Sequence, residues 1–196
     1  MRKLLVLGLI IFLSGCKSRK LTADSSEKFK LENLAEVIKK NNLETIYPRA
    51  EISEGVDFFE EGTVERAYSI LYPDTDDELL IIWKDKTQNQ PHQVYVSKPG
   101  RWQTREGITV GTSYEDLVKI NDGSIDFYGF GWDYSGAVDW KDGKMKDSNV
   151  RVFLAPVSAP PNSFYGDHII EADPQDILNL DLKVRAIIYQ DMEERS

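Results

Sequence analysis

Apolar residues recur at two periods along this chain, and the change from one to the other marks its elements. In FKLENLAEVIKKNN, Leu31, Leu34, Ala35 and Ile38 fall three and four apart, the spacing of one helix face. Lys39 and Lys40 suit the C-terminal end of that helix, and Asn41-Asn42 stops it. The stretches LETIYP and RAEISEGVDFFEEG read as short strands or extended loop. GTVERAYSILYP alternates at Val64, Arg66, Tyr68 and Ile70, and predicts a strand. Turns at PDTDDE and KTQNQP bracket a second strand in ELLIIWKD, and HQVYVSK supplies a third, with Val94 and Val96 on one face.

In the second half, Trp102 to Val110 is expected to be extended up to the break at Gly111. Thr112 and Glu115 then fit a capping box, in which a hydroxyl and a carboxylate satisfy orphan helix amides reciprocally. Leu117 and Ile120 continue the helix to Asn121-Asp122-Gly123. SIDFYGFGWDYSGAVDW is β-rich, Lys141-Asp142-Gly143-Lys144 is a hairpin turn, and NVRVFLAPV is a strand. Beyond Pro156, Pro160 and Pro161, Asp173 caps a short helix with Pro174 at its first position. KVRAIIYQ is the last strand and DMEERS a charged tail. The fold class is α+β, with antiparallel sheet and two to three helices. The halves 28–100 and 101–196 each read as a helix followed by about three strands. Tandem duplication and chance similarity both fit that likeness.

Residues 1–15 obey neither period. Arg2 and Lys3 precede an unbroken apolar run from Leu4 to Leu13, followed by Ser14-Gly15-Cys16. A charged start and an apolar stretch too short to span a bilayer make a secretory signal. Leu13-Ser14-Gly15-Cys16 resembles the lipobox of bacterial lipoproteins, in which the chain is cut before the cysteine and that cysteine is lipidated. The resemblance implies a diacylglyceryl thioether on Cys16, usually with a third acyl chain on its new amine. Each buried methylene contributes about 0.8 kcal/mol, so two or three chains give a stable membrane anchor where one is marginal. In such lipoproteins Lys17, rather than Asp, after the cysteine implies the outer membrane. The basic KSRK stretch differs from acidic surface-export signals and favours the periplasmic face. Residues 16–27 are the lipidated cysteine and a polar tether, its flexible part reaching about 30–35 Å at about 3.3 Å per residue. Residues 28–196 form one globular domain.

Charge narrows the partners. The chain carries 24 basic and 33 acidic residues, a net charge of −9, and loss of Arg2 and Lys3 with the leader makes it more acidic still. That balance argues against nucleic acid and anionic headgroups, which reward clustered Lys and Arg. Cys16 is the one cysteine, so the domain holds together by its core without a disulfide.

GITVGTSYEDLVKINDG and YGFGWDYSGAV resemble segments of exported lipoproteins, mainly from Bacteroidota, that have no established activity; the likeness spans roughly residues 44–140. The glycines, Thr112, Ser113 and Leu117 are also similar to a short element in small lipoproteins of outer-membrane protein assembly. Neither resemblance carries over a functional residue.

Candidate chemistry concentrates at Ile125 to Gly136. As one strand, this stretch places Tyr128, Phe130, Trp132 and Tyr134 on one face, and Phe127, Gly129, Gly131 and Asp133 on the other. Exposed, the aromatic row is a platform for sugar rings or a partner; buried, it is core. Under the binding reading Trp132 and Tyr134 stack while Asp133 accepts hydrogen bonds. Asp74, Asp76, Asp77 and Glu78 lack the glycine and distal glutamate of a calcium loop and read as a solvated turn, as do Asp139, Asp142 and Asp147. His92 and His168 are the two histidines, and no nucleophile elbow, zinc pair or phosphate loop occurs. A serine triad through His168 and Asp167 would be set by space rather than sequence. The expectation is no catalytic residue, metal or cofactor, and a binding module that contacts an envelope protein. The alternatives are a glycan-binding lipoprotein and, third, an envelope hydrolase.

Overall fold

A computed structural model describes residues 26–39 and 42–190. The leader, Cys16, the tether up to residue 25, the Asn41 stop and the charged tail lie outside the described residues. Ser26 and Glu27, expected in the tether, belong to a 3-10 turn over Ser26–Phe29 that packs its phenylalanine into the core.

The architecture is α+β and mostly sheet. Helices α1 (Leu31–Ile38) and α2 (Leu43–Ile46) precede strands β1 (Ile52–Phe59), β2 (Val64–Leu71), β3 (Leu79–Trp83) and β4 (Pro91–Val96). Helix α3 (Tyr114–Asn121) follows, then the two-residue strands β5 (Asp126–Phe127) and β6 (Val138–Asp139). Strand β7 (Val150–Ala155), helix α4 (Pro174–Asn179) and strand β8 (Lys183–Gln190) follow. The main sheet is antiparallel with order β1-β2-β3-β4-β8-β7, and β5 pairs with β6 separately. The halves do not share an element order. The first runs as a four-strand meander, whereas the second contributes β7 and β8 to that same sheet.

Register explains the core. The rows Ser69–Ile81–Val94 and Val96–Ile187–Val152 share one face and are buried. Leu31, Leu34, Ala35 and Ile38, the predicted stripe of α1, are buried with them. The other face carries Ile70, Leu80, Tyr95 and Ile188 in register, all half-buried. In β2 it is therefore Ala67, Ser69 and Leu71 that enter the core, while the alternating set Arg66, Tyr68 and Ile70 lies opposite. Ser69 is fully buried yet satisfied, since its hydroxyl accepts the Trp83 indole N–H at 2.9 Å.

Three local expectations are corrected. LETIYP is not extended: Asn42 caps α2 by accepting the Thr45 N–H at 3.0 Å, which turns the segment helical. The cap of α3 is Ser113, accepting the Asp116 N–H at 3.1 Å; the Thr112 hydroxyl accepts the Thr109 N–H instead. Trp102 to Val110 forms no named strand. It holds to the core through buried Trp102 and Ile108 and a parallel bridge between Lys30 and Gln103. Asp173 and Pro174 begin α4 as expected.

Candidate functional site

The aromatic run is not one strand. After β5, Tyr128 bridges Ile169 and Phe130 bridges Tyr165, so the chain stays extended as far as Phe130. Gly131 then takes φ +85°, and a turn closed by Ser135 N–H to Trp132 O (3.0 Å) and Ala137 N–H to Tyr134 O (2.9 Å) reverses it. The predicted alternation fails at that glycine. Gly129 permits the approach of another segment: a Cβ there would sit 2.6 Å from the Gly166 carbonyl oxygen, leaving no room for a side chain.

The reversal divides the aromatics. Phe127 and Phe130 are buried, their centroids 5.9 Å apart, so Phe130 belongs to the core and not to a binding face. Tyr128, Trp132 and Tyr134 instead make a surface chain of rings, with centroids 5.8 Å and 5.3 Å apart in sequence. Tyr128 and Trp132 are half-buried and Tyr134 is 54% exposed. The Trp132 indole N–H donates to the Gly129 carbonyl at 2.8 Å, which fixes the middle ring. Asp133 is exposed beside them.

Next to these rings an open groove of about 410 Å³ runs between β6 and β7. Tyr128, Tyr134, Trp140, Lys141, Lys146 and Arg151 line it, but Trp132 does not. Lys141 pairs with Asp126 at 2.9 Å and Lys146 with Asp142, each holding its lysine above the usual value through that hydrogen bond. The groove therefore combines aromatic side chains with a rim of mixed charge, suited to a flat or polar ligand. Lys141, Lys146 and Arg151 carried no distinguishing pattern in the sequence, because only folding brings the 141–146 turn against β7.

Several of the other candidate residues have local partners. The Asp77 carboxylate receives the Arg101 backbone N–H and Nε, each at 2.8 Å, and the Arg101 guanidinium lies 3.9 Å from the Phe29 ring centroid. Burial pushes the Asp77 carboxyl up, but the Arg101 hydrogen bonds and charge together hold it below the usual value. The Glu78 carboxylate accepts the Asp74 N–H at 2.9 Å. His168 is exposed, with Nε2 3.3 Å from the Ser163 carbonyl oxygen rather than on a serine hydroxyl. The His92 Nε2 lies 3.1 Å from Glu60, whose same oxygen takes the Arg66 Nε at 2.9 Å. Among the described residues no three His, Cys, Asp or Glu side chains are grouped to hold a metal ion. Nor is any described helix long and apolar enough to cross a membrane.

No model of a known protein family and no curated protein matches the chain. Among solved structures it is similar to the uncharacterized protein yfeY from Escherichia coli, at 14% identity and a TM-score of 0.45, over 87% of this chain and 93% of that one.

Proposed function

We propose that the protein is a lipoprotein held at a membrane through lipid on Cys16, and that its domain is a non-catalytic module binding another protein of the cell envelope. The observation that carries the binding reading is the ring chain Tyr128–Trp132–Tyr134. Half-buried Tyr128 and Trp132 and exposed Tyr134 pack on one another at a turn, and the Trp132 N–H is already hydrogen-bonded, so docking there loses little side-chain freedom. The address rests on Leu13-Ser14-Gly15-Cys16 after the apolar run; Lys17 favours the outer membrane, and the basic KSRK stretch favours the periplasmic face for the domain. Fractionation of cells producing Cys16→Ser tests the anchor: the variant leaves the membrane fraction, and its retention there would refute lipidation at this residue. A photo-cross-linking residue at Tyr134 in intact cells tests the partner, with a discrete adduct expected. Absence of an adduct from this site and from the remaining surface refutes the module.

A glycan ligand is the second reading, favoured by ring faces placed beside a groove with polar rim groups. Tryptophan fluorescence titrated with oligosaccharides separates it from the first. Saturable quenching lost in Trp132→Ala supports a glycan, and no response across a broad panel counts against one.

A further inference from the structure

Among the described residues, the main sheet ends on one side at β1. There β1 pairs with β2 alone, and β2 pairs with β3 over Tyr68–Leu71. The distal part of the β1–β2 hairpin therefore runs beyond the third strand. The Tyr72 N–H donates to Glu51 O at 2.9 Å, and with the register this puts odd-numbered β1 residues into hydrogen-bonded pairs with β2. The N–H and C=O groups of Ile52, Glu54, Val56 and Phe58 then point away from the sheet. The Phe58 N–H accordingly donates to Asp57 Oδ1 at 2.8 Å instead of to a strand.

The side chains of these four residues share one face, where Val56 is 54% and Phe58 61% exposed. On the opposite face the Tyr68 ring lies across Gly55, occupying the place of the missing side chain. Residues 51–66 carry the acids Glu51, Glu54, Asp57, Glu60, Glu61 and Glu65 against Arg66 as the one base of that stretch, and Lys86 from beyond β3 reaches Glu65 at 3.9 Å. Arg66 and His92 both meet Glu60, which pins the hairpin to β4.

We infer that β1 is a docking edge for an extended segment of a partner protein that alternates apolar and basic residues. This rests on the reading of the domain as a binding module and names the partner's chemistry. The outward N–H groups of Ile52, Glu54 and Val56 and the four outward carbonyls supply the ladder, and Val56 and Phe58 supply the apolar contacts. The acids set the sign. A basic strand is attracted, while a second copy of this chain, at net charge −9, brings a second acidic edge against the first and is rejected.

The test uses the full chain and a capped peptide of alternating lysine and valine about nine residues long, enough to lie along β1. Its binding is expected to saturate and to protect the amides of Ile52, Glu54 and Val56 from hydrogen exchange. The same peptide with alternate amides N-methylated keeps its charge but not its ladder, and is expected to bind about tenfold more weakly or worse. Val56→Pro removes an outward N–H that β2 does not use, and Val56→Lys adds a like charge. Either variant is expected to lose the protection at Ile52 and Glu54. Equal binding of the methylated peptide, or no protection at these amides, overturns the inference. That result leaves the module reading standing if cross-linking at Tyr134 still yields its adduct, so the two failures are distinguishable.

Discussion

Replacing Asn121 by alanine and Gly143 by alanine, singly and together, tests how the end of α3 is fastened to the domain. Asn121 is fully buried. Its amide nitrogen reaches the carbonyls of Gly123, Ser124 and Trp140 at 3.3, 3.2 and 3.1 Å, and its side-chain oxygen accepts the Met145 N–H at 3.1 Å. Asn121→Ala orphans a buried donor and weakens three acceptors, a cost of about 2–4 kcal/mol. Gly143 has no left-handed φ, so alanine is tolerated by its backbone; the obstacle is that a methyl there overlaps the Asn121 carboxamide. Overpacking of this kind costs about 1–3 kcal/mol. In the double variant the carboxamide is gone and the new methyl enters the space it vacated. The combined cost should then fall about 1–3 kcal/mol short of the sum. Urea unfolding followed by tryptophan fluorescence measures each corner of the cycle. A domain of this size moves by about 2–4 °C per kcal/mol, so melting temperatures give an independent reading. Additivity within about 0.5 kcal/mol would refute the claim that the two positions meet through the carboxamide.

Other consequences are as direct. Phe130→Ala should cost about 3–5 kcal/mol by emptying core, whereas Tyr134→Ala should change stability by about 0.5 kcal/mol or less; similar losses in calorimetry would contradict the division of the aromatic run. Because Arg101 depresses the folded-state pKa of Asp77, that carboxylate stabilises the fold above its unfolded value and loses the contribution as pH falls through the folded one. The stability gap between wild type and Asp77→Asn should therefore narrow in denaturant titrations below about pH 4, and a gap that widens there would refute the linkage. Gly100→Ala places a methyl on the Asp76 carbonyl and should cost about 1–3 kcal/mol, with the Arg101–Asp77 pairing displaced; an unchanged unfolding midpoint would contradict that close approach.

Periodicity made the strands legible wherever one face meets the core. ELLIIWKD, HQVYVSK and KVRAIIYQ each became strands because their alternate residues enter a single core. It failed where capping or turn chemistry overrode it. Leu43 to Ile46 is too short for a helical stripe to stand out, and the Asn42 cap decided it. Between Ile125 and Gly136 the aromatics kept the alternation of a strand on paper, while Gly131 turned the chain midway. The groove was hidden for another reason, since its lining joins residues 128–141 to 146–153 across a loop that hydrophobicity does not place. The edge character of β1 was hidden too, because neighbour order in a sheet is not written in any one strand.

Strand β8 lies between β4 and β7, with Val94 and Val150 both opposite Tyr189. It is also the last of the described elements in chain order. A ribosome releasing this chain from its N-terminus delivers the first four strands, then β7, while the strand that joins them is still to come. The six-stranded sheet therefore closes only when residues 183–190 arrive, and long-range closure of that kind is slow. A chain that stops before Lys183 leaves β4 and β7 as two open edges, so truncation there should yield aggregation rather than a smaller stable domain.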